Sequence, residues 1–322
     1  MQIKQRLEYP IWKTPYFCVL GLFVFFKLVR AGTLTLLIDK PFFNKKLNLT
    51  LKFLNLLIYS ENKDEIGKKL LRCLINLGPG YIKFGQALST RPDLVDKKTC
   101  EYLKKLQDDM EPFSSSIAKN IIEKENHDSI DNIFSSFNEK PVANASVAQV
   151  HTAILKSGET VAIKILKPNI KEKLFKDFIF FYWVSKCLEI AIPSIKRLKL
   201  SKNVEVLSEV SLNELDLTLE ASAAEELSEN FKDNPNYKVP KIYWELTSKN
   251  ILVLEYIQGI RIDDINALKK ANHNIKKITE IGTEVFFLQV FRDGFFHGDM
   301  HPGNILINPK GVLIPIDFGI MG

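Results

Sequence analysis

Lys164, the pair Asp299 and Asn304, and Asp317 are the residues whose types and spacing can do chemistry. Lys164 closes the run Val161-Ala162-Ile163-Lys164, which predicts a strand. A lysine there can neutralise nucleotide phosphates, although taken alone the run more often marks a surface lysine on an edge strand. Asp299 and Asn304 stand five apart in a loop that follows an apolar helix. That spacing lets a carboxylate face a transferred group while the amide reaches a metal. Asp317, in Asp317-Phe318-Gly319 after a short hairpin, offers a carboxylate to Mg²⁺. Mg²⁺ takes hard oxygen ligands, with phosphates and water filling the octahedron. Each piece is weak alone, and a lone DFG would be a simple turn. Together, in this order, they describe a site for Mg²⁺ and a nucleotide such as ATP, in the sequence order used by kinases.

His297 and His301 bracket Asp299 four residues apart, which raises zinc. Gly298, Pro302 and Gly303 argue against the helix that would align the two rings, and no third ligand declares itself. Packing that fixes the loop is the better reading of both histidines.

These residues need elements to position them. Residues 66–125 read as helical, with Leu70, Leu71, Leu74 and Ile75 at helical spacing, a break at Gly78-Pro79-Gly80 and a further helix near Tyr102–Leu106. From Pro141 the pattern changes. Val150–Leu155 and Val161–Leu166 predict a hairpin about the turn Ser157-Gly158, ended by Pro168. Residues 203–230 predict one long helix and Ile251–Tyr256 a short strand. Ile278–Phe291 predicts a helix buried on several sides. Ile305–Ile307 and Val312–Ile316 predict a second hairpin about Asn308-Pro309-Lys310-Gly311. The organisation expected is an apolar and basic leader over 1–65, a helical extension over 66–140 and a nucleotide-binding domain over 141–322.

The chain of 322 residues is long enough for a large hydrophobic core. Its four cysteines lack metal or redox spacing, which fits a reduced compartment. A net charge of +6 is compatible with an anionic membrane surface, with nucleic acid or with neither. No dense Lys/Arg run interleaves with aromatics, which argues against nucleic acid. Thr14–Phe26 is uncharged and rich in Phe, Val and Leu, followed by Lys27 and Arg30. It is short for a membrane span, which needs roughly 20 residues. It is either a membrane-contacting helix or a core helix.

Further motifs carry a resemblance. Lys83-Phe84-Gly85-Gln86 is followed by STRPD; Ala143–His151 reads ANASVAQVH; Glu214-Leu215-Asp216 precedes Glu220-Ala221; FFHGDMHPGN and DFGIMG close the chain. From about Leu70 to the last residue the sequence resembles the UbiB family of atypical kinase-like proteins, which includes homologues that support coenzyme Q synthesis. The resemblance implies an α+β fold, an atypical protein-kinase-like domain with an N-terminal helical extension. Relative to that pattern the chain stops just after DFG, so the C-terminal lobe is expected to be incomplete.

The resemblance also implies roles. The alanine-rich loop, Val142, Ala143, Asn144, Ala145, Ser146, Val147, Ala148, Gln149 and Val150, would cover the nucleotide phosphates. Small residues let backbone amides approach anions closely. Asn144 departs from the all-small pattern, and its side chain would crowd the nucleotide or point to solvent. Lys164 would pair with Glu220, or else with Glu214. Lys83 would sit over the active site near Glu214 or Asp216, where a protein substrate would otherwise bind. Asp299 would be the general base, and Asn304 and Asp317 would hold Mg²⁺. Two functions follow. One is an ATP-dependent phosphotransferase or ATPase supporting ubiquinone synthesis at the cytoplasmic face of the bacterial inner membrane, or at the mitochondrial inner membrane in a eukaryote. It would act with a membrane lipid or ubiquinone precursor and with other ubiquinone-biosynthesis proteins. The other is a non-catalytic lipid- or partner-binding remnant.

Overall fold

A computed structural model describes residues 7, 14–38, 45–58, 66–106, 111–298 and 301–322. The chain divides into two compact units. The first holds residues 1–111, 144–147 and 168–212, and the second holds 112–143, 148–167 and 213–322.

The first unit is helical. Helix α1 (Thr14–Arg30) is apolar almost throughout. Short α2 (Thr33–Leu37) and longer α3 (Lys45–Ile58) follow. Helix α4 (Ile66–Leu77) buries Leu70 and Leu74 at the predicted spacing, while Ile75 faces out. The chain breaks at Gly78 alone, and Pro79 opens α5 (Pro79–Ser89), where its missing N–H costs nothing. Asp96 caps α6 (Lys97–Lys104) by accepting from Thr99 N. Another helix of this unit, Ile170–Ala191, packs against α5. Leu70, Leu74, Tyr81, Ile82, Leu103 and Phe180 belong to one core cluster.

In the second unit, α7 (Ser115–Asn126) lies against a five-stranded antiparallel sheet. The sheet is built from β1 (Phe134–Phe137), β2 (Ala143–Asn144), β3 (Ala148–Leu155), β4 (Thr160–Leu166) and β5 (Ile251–Glu255). The predicted hairpin is β3–β4, with His151 opposite Ile163 and Val150 opposite Lys164. Gly158 turns it at φ 93°, a conformation that side chains with a Cβ resist. Period-two alternation then sorts the faces of β4. Val161, Ile163 and Ile165 join Ala118, Ile122 and Val253 in the core, which leaves Lys164 on the opposite face.

Two expectations change. The helix expected over 203–230 is two helices, Leu200–Asn213 and α8 (Leu217–Asn230). The first ends at Asn213, and Asp216 caps the second, its carboxylate accepting from Thr218 N, so the chain turns there although the apolar spacing continues. The helix expected over Ile278–Phe291 is α9 (Ile275–Phe287), widened into a π-turn over Leu288–Asp293. It is buried on one side only. Ile278, Ile281, Val285 and Gln289 face the core, while Phe286, Phe287 and Phe291 face out. This stretch carries more apolar residues than one helix face can bury. A second small sheet, β6 (Ile260–Arg261), β7 (Ile305–Ile307) and β8 (Leu313–Pro315), completes the unit.

Candidate active site

The second unit gathers three charged residues from three elements. Strand β4 presents Lys164, helix α8 presents Glu220 one turn from its start, and the segment after β8 presents Asp317. Lys164 Nζ donates to Glu220 Oε1 at 2.7 Å, to Glu220 Oε2 at 2.9 Å and to Asp317 Oδ2 at 3.0 Å. Of the two glutamates considered, Glu220 is the one placed against Lys164. Its side chain is 6% exposed and that of Lys164 14%, whereas Asp317 keeps 39%.

The electrostatics follow from this arrangement. Burial alone would favour a neutral lysine, but the charges of Asp317 and Glu220 outweigh it and raise the Lys164 value, so the ammonium persists. Burial pushes Asp317 up, yet Lys164 and the Gly319 N–H bring it below its ordinary value, so it stays ionised. Burial raises Glu220 despite Lys164. Glu220 also accepts from the Phe318 N–H at 3.3 Å, which ties the helix to the DFG turn.

Asn304 stands beside this trio through the backbone. Its carbonyl accepts from Ile316 N at 2.9 Å, one residue before Asp317, as the β7–β8 ladder runs out. His297 is buried and donates from Nε2 to the Asp317 carbonyl at 2.6 Å, and its own N–H donates to Gln289 Oε1. Segment 296–298 pairs with 320–322, from Phe296 N to Gly322 O and from Gly298 N to Ile320 O. His301 accepts from Gly303 N through Nδ1. The two histidines thus hold the loop on either side of Asp299, which itself lies outside the described residues. Among the described residues no three His, Cys, Asp or Glu gather as a metal-binding group.

The donor set fits a nucleotide with Mg²⁺. An amide and an ionised carboxylate, both oxygen donors, sit at neighbouring backbone positions, with a persistent ammonium 3.0 Å from the carboxylate. Asn304 and Asp317 would hold the metal and Lys164 would meet phosphate.

The alanine-rich loop divides. Asn144–Val147 group with the first unit, and Ala143 and Ala148 with the second. Ser146 and Val147 are buried, while Val142 and Ala143 are exposed. Asn144 does not point to solvent. Its Oδ1 is buried and has no hydrogen-bond partner. Ala148, Gln149 and Val150 are strand residues opposite Leu166, Ile165 and Lys164, and Val150 O accepts from Val142 N. The Gln149 side chain is turned into the core. It is fully buried, with Oε1 accepting from Phe113 N at 3.0 Å and Nε2 donating to His151 Nε2 at 2.7 Å. His151 then donates from Nδ1 to Asn138 O at 2.9 Å, beneath the stacked Phe137 ring, and burial lowers its pKa.

Lys83 is half-buried on α5 in the first unit, and Glu214 is half-buried at the joint before α8 in the second. Asp216, besides capping α8, lies 3.8 Å from Lys249 Nζ. Sequence reasoning missed Asp177. This carboxylate, on helix Ile170–Ala191, accepts from the Gly80 N–H at 2.9 Å and so caps the helix that carries Lys83. A Cβ on Gly80 would stand 2.3 Å from Asp177 Cβ, so only glycine permits the approach. Burial pushes Asp177 up to about 6.

A lysine on a sheet strand, a helix glutamate and a DFG aspartate in contact define a kinase-like nucleotide fold. The description ABC1 atypical kinase-like domain matches residues 105–322, and the chain belongs to that family. It is 42% identical over 289 residues to the probable protein kinase UbiB of Shewanella woodyi, covering 88% of this chain and 52% of that protein. It is likewise 42% identical over 269 residues to the Marinobacter nauticus protein of the same name, covering 82% and 49%. The chain therefore spans about half the length of the curated relatives it matches. Among solved structures it matches the Rv3197–erythromycin complex from Mycobacterium tuberculosis, with TM-score 0.51 and 27% identity over 86% of this chain and 68% of that one.

Proposed function

We propose that the chain binds MgATP at Lys164, Asn304 and Asp317 and acts as an ATP-dependent phosphotransferase or ATPase supporting ubiquinone biosynthesis. The observation that carries the reading is the Lys164–Glu220–Asp317 cluster, formed by residues 56 and 153 positions from the lysine. Bound Mg²⁺ would neutralise phosphate charge. The protein's part is positioning and electrostatics. Glu220 orients Lys164, the Gly319 N–H orients Asp317, and His297 fixes the turn behind it. Asp299 is assigned as general base for water or a hydroxyl. The alanine-rich loop is assigned to the phosphates through its backbone, and by the resemblance Lys83 is assigned a catalytic role and Glu214 a nucleotide-binding one. We assign a membrane lipid or ubiquinone precursor as the substrate class, as the resemblance in the sequence implies. The place of action would be the cytoplasmic face of the inner membrane, alongside other ubiquinone-biosynthesis proteins.

The test is a thermal shift of the full chain with MgATP, with Mg²⁺ alone, and with MgATP on Asp317→Asn. At a ligand concentration 100 times Kd the expected stabilisation is about 2.7 kcal/mol. Asp317→Asn should remove it. An equal rise in that variant refutes the metal assignment, and no rise in the parent refutes the nucleotide site. Phosphate release from ATP, measured with and without membrane lipid, separates turnover from binding.

A further inference from the structure

Helix α1 is apolar on both sides, yet only one side is covered. Phe17 and Val24 are buried, and the Phe17 ring stands 6.1 Å from Phe180 and 5.7 Å from Trp183. The opposite face shows Tyr16, Val19, Leu22, Phe23, Phe25 and Phe26, each more than half exposed. A face of six large apolar side chains on one helix is an interaction surface. Helix α3 repeats the pattern, with Lys45, Leu49, Lys52 and Phe53 exposed at helical spacing.

Charge decides what covers the face. Residues 1–58 carry nine Lys and Arg against two acidic residues, Glu8 and Asp39, so the rest of the chain is nearly neutral given its net +6. The basic groups sit on the apolar face itself. Lys27 Nζ lies 4.5 Å over the Phe23 ring and Arg30 Cζ 5.7 Å over Phe26. Apolar stems with cationic heads at their edge match the boundary between acyl chains and anionic headgroups. The described helix is short for a span. Seventeen residues rise about 25 Å against a hydrocarbon core of about 30 Å. No described helix is long and apolar enough to span.

We propose that the exposed face of α1, with the matching stripe of α3, docks the first unit onto an anionic lipid bilayer as an interfacial helix lying in the headgroup region. This deepens the membrane placement in the proposed function and is independent of the nucleotide site.

The test uses the full chain without nucleotide, floated with vesicles of phosphatidylcholine alone or with about one third phosphatidylglycerol. Binding is expected to the anionic vesicles and to weaken with salt. Phe23→Ser/Phe26→Ser should lower affinity about a hundredfold or more, from the apolar area no longer buried. Lys27→Gln/Arg30→Gln should lower it about twentyfold on anionic vesicles and little on neutral ones, at roughly fivefold per basic group. These side chains lie off the packed face, so an unchanged Tm shows that both variants fold. Anionic-vesicle binding equal in the Phe variant and the parent overturns the proposal. So does self-association that the Phe substitutions dissolve while the parent ignores vesicles, because the face would then belong to a second copy. MgATP protection, read without vesicles, fails or survives separately.

Discussion

Removing the ammonium of Lys164 tests the charge cluster most directly, because the cost should depend on pH in a calculable way. In Lys164→Met the volume is nearly kept, but Glu220, only 6% exposed, loses its cation. A buried carboxylate without a partner takes up a proton instead. Against an ordinary glutamate value of 4.5, protonation at pH 7 is two and a half pH units uphill. At about 1.4 kcal/mol per unit this sets a loss near 3.4 kcal/mol. At pH 5 the same step costs less than about 1 kcal/mol. The sign follows linkage. A carboxyl raised in the folded state binds a proton there that the unfolded chain has released, so stability falls as pH rises above 4.5. Asp317, with 39% exposure, keeps solvent and adds little. Urea unfolding of parent and variant at pH 5 and pH 7, read as shifts in midpoint at constant m, gives the numbers. Lys164→Met/Glu220→Gln should recover most of the loss and its pH dependence, since glutamine still accepts from Phe318 N. Equal losses at the two pH values, or no recovery in the double variant, would refute the buried-pair reasoning.

Four other outcomes follow from particular contacts. Gly80→Ala should cost about 1–3 kcal/mol in thermal unfolding, because the new methyl meets Asp177 Cβ at 2.3 Å and neither backbone yields easily; an unchanged Tm would mean that the helices separate freely. Asp177, at about 6 when folded against 3.8 ordinarily, should make stability fall by about 2 kcal/mol as pH rises from 4 to 6. Asp177→Asn keeps the acceptor for Gly80 and should abolish that slope in Tm against pH. Gln149→Leu leaves Phe113 N–H and His151 Nε2 without their partner and should cost about 2 kcal/mol or more by urea midpoint. ATP with EDTA should stabilise the chain far less than MgATP; equal shifts would remove the metal from the site.

What was legible in the sequence was local. The β3–β4 hairpin shows as alternation about Ser157-Gly158, and Val161-Ala162-Ile163 names the strand that carries Lys164. The β7–β8 hairpin shows as two apolar runs about Asn308-Pro309-Lys310-Gly311. The break before α8 is hidden in the sequence, because Val210 and Leu217 keep helical spacing across Asp216, although an aspartate before Leu217-Thr218 is itself a cap signal. Helix Ile170–Ala191 is hidden too, since its run from Phe178 to Val184 is apolar on every side and marks no stripe. The loop motif alone places Gln149 toward a nucleotide. Its true partner, Phe113, stands 36 residues earlier, and no periodicity carries that. The Asp177–Gly80 cap spans 97 positions and is equally silent.

The site's charge is what makes a metal necessary to the proposed nucleotide reading. With all three groups ionised, Lys164, Glu220 and Asp317 leave one negative charge in a region where Glu220 is nearly sealed and Lys164 almost so. A nucleotide arriving without a cation would bring further negative charge toward Asp317, and a single ammonium, already shared between two carboxylates, cannot offset it. A divalent cation held by Asp317 and Asn304 would reverse the local sign, so that phosphate would meet a net positive site. Asp317 is the member able to do this, because it is the more exposed carboxylate and the one whose ionised form the surroundings favour. Glu220, raised by burial and fastened to both Lys164 and the Phe318 N–H, is instead the fixed point from which the lysine and the DFG turn are positioned.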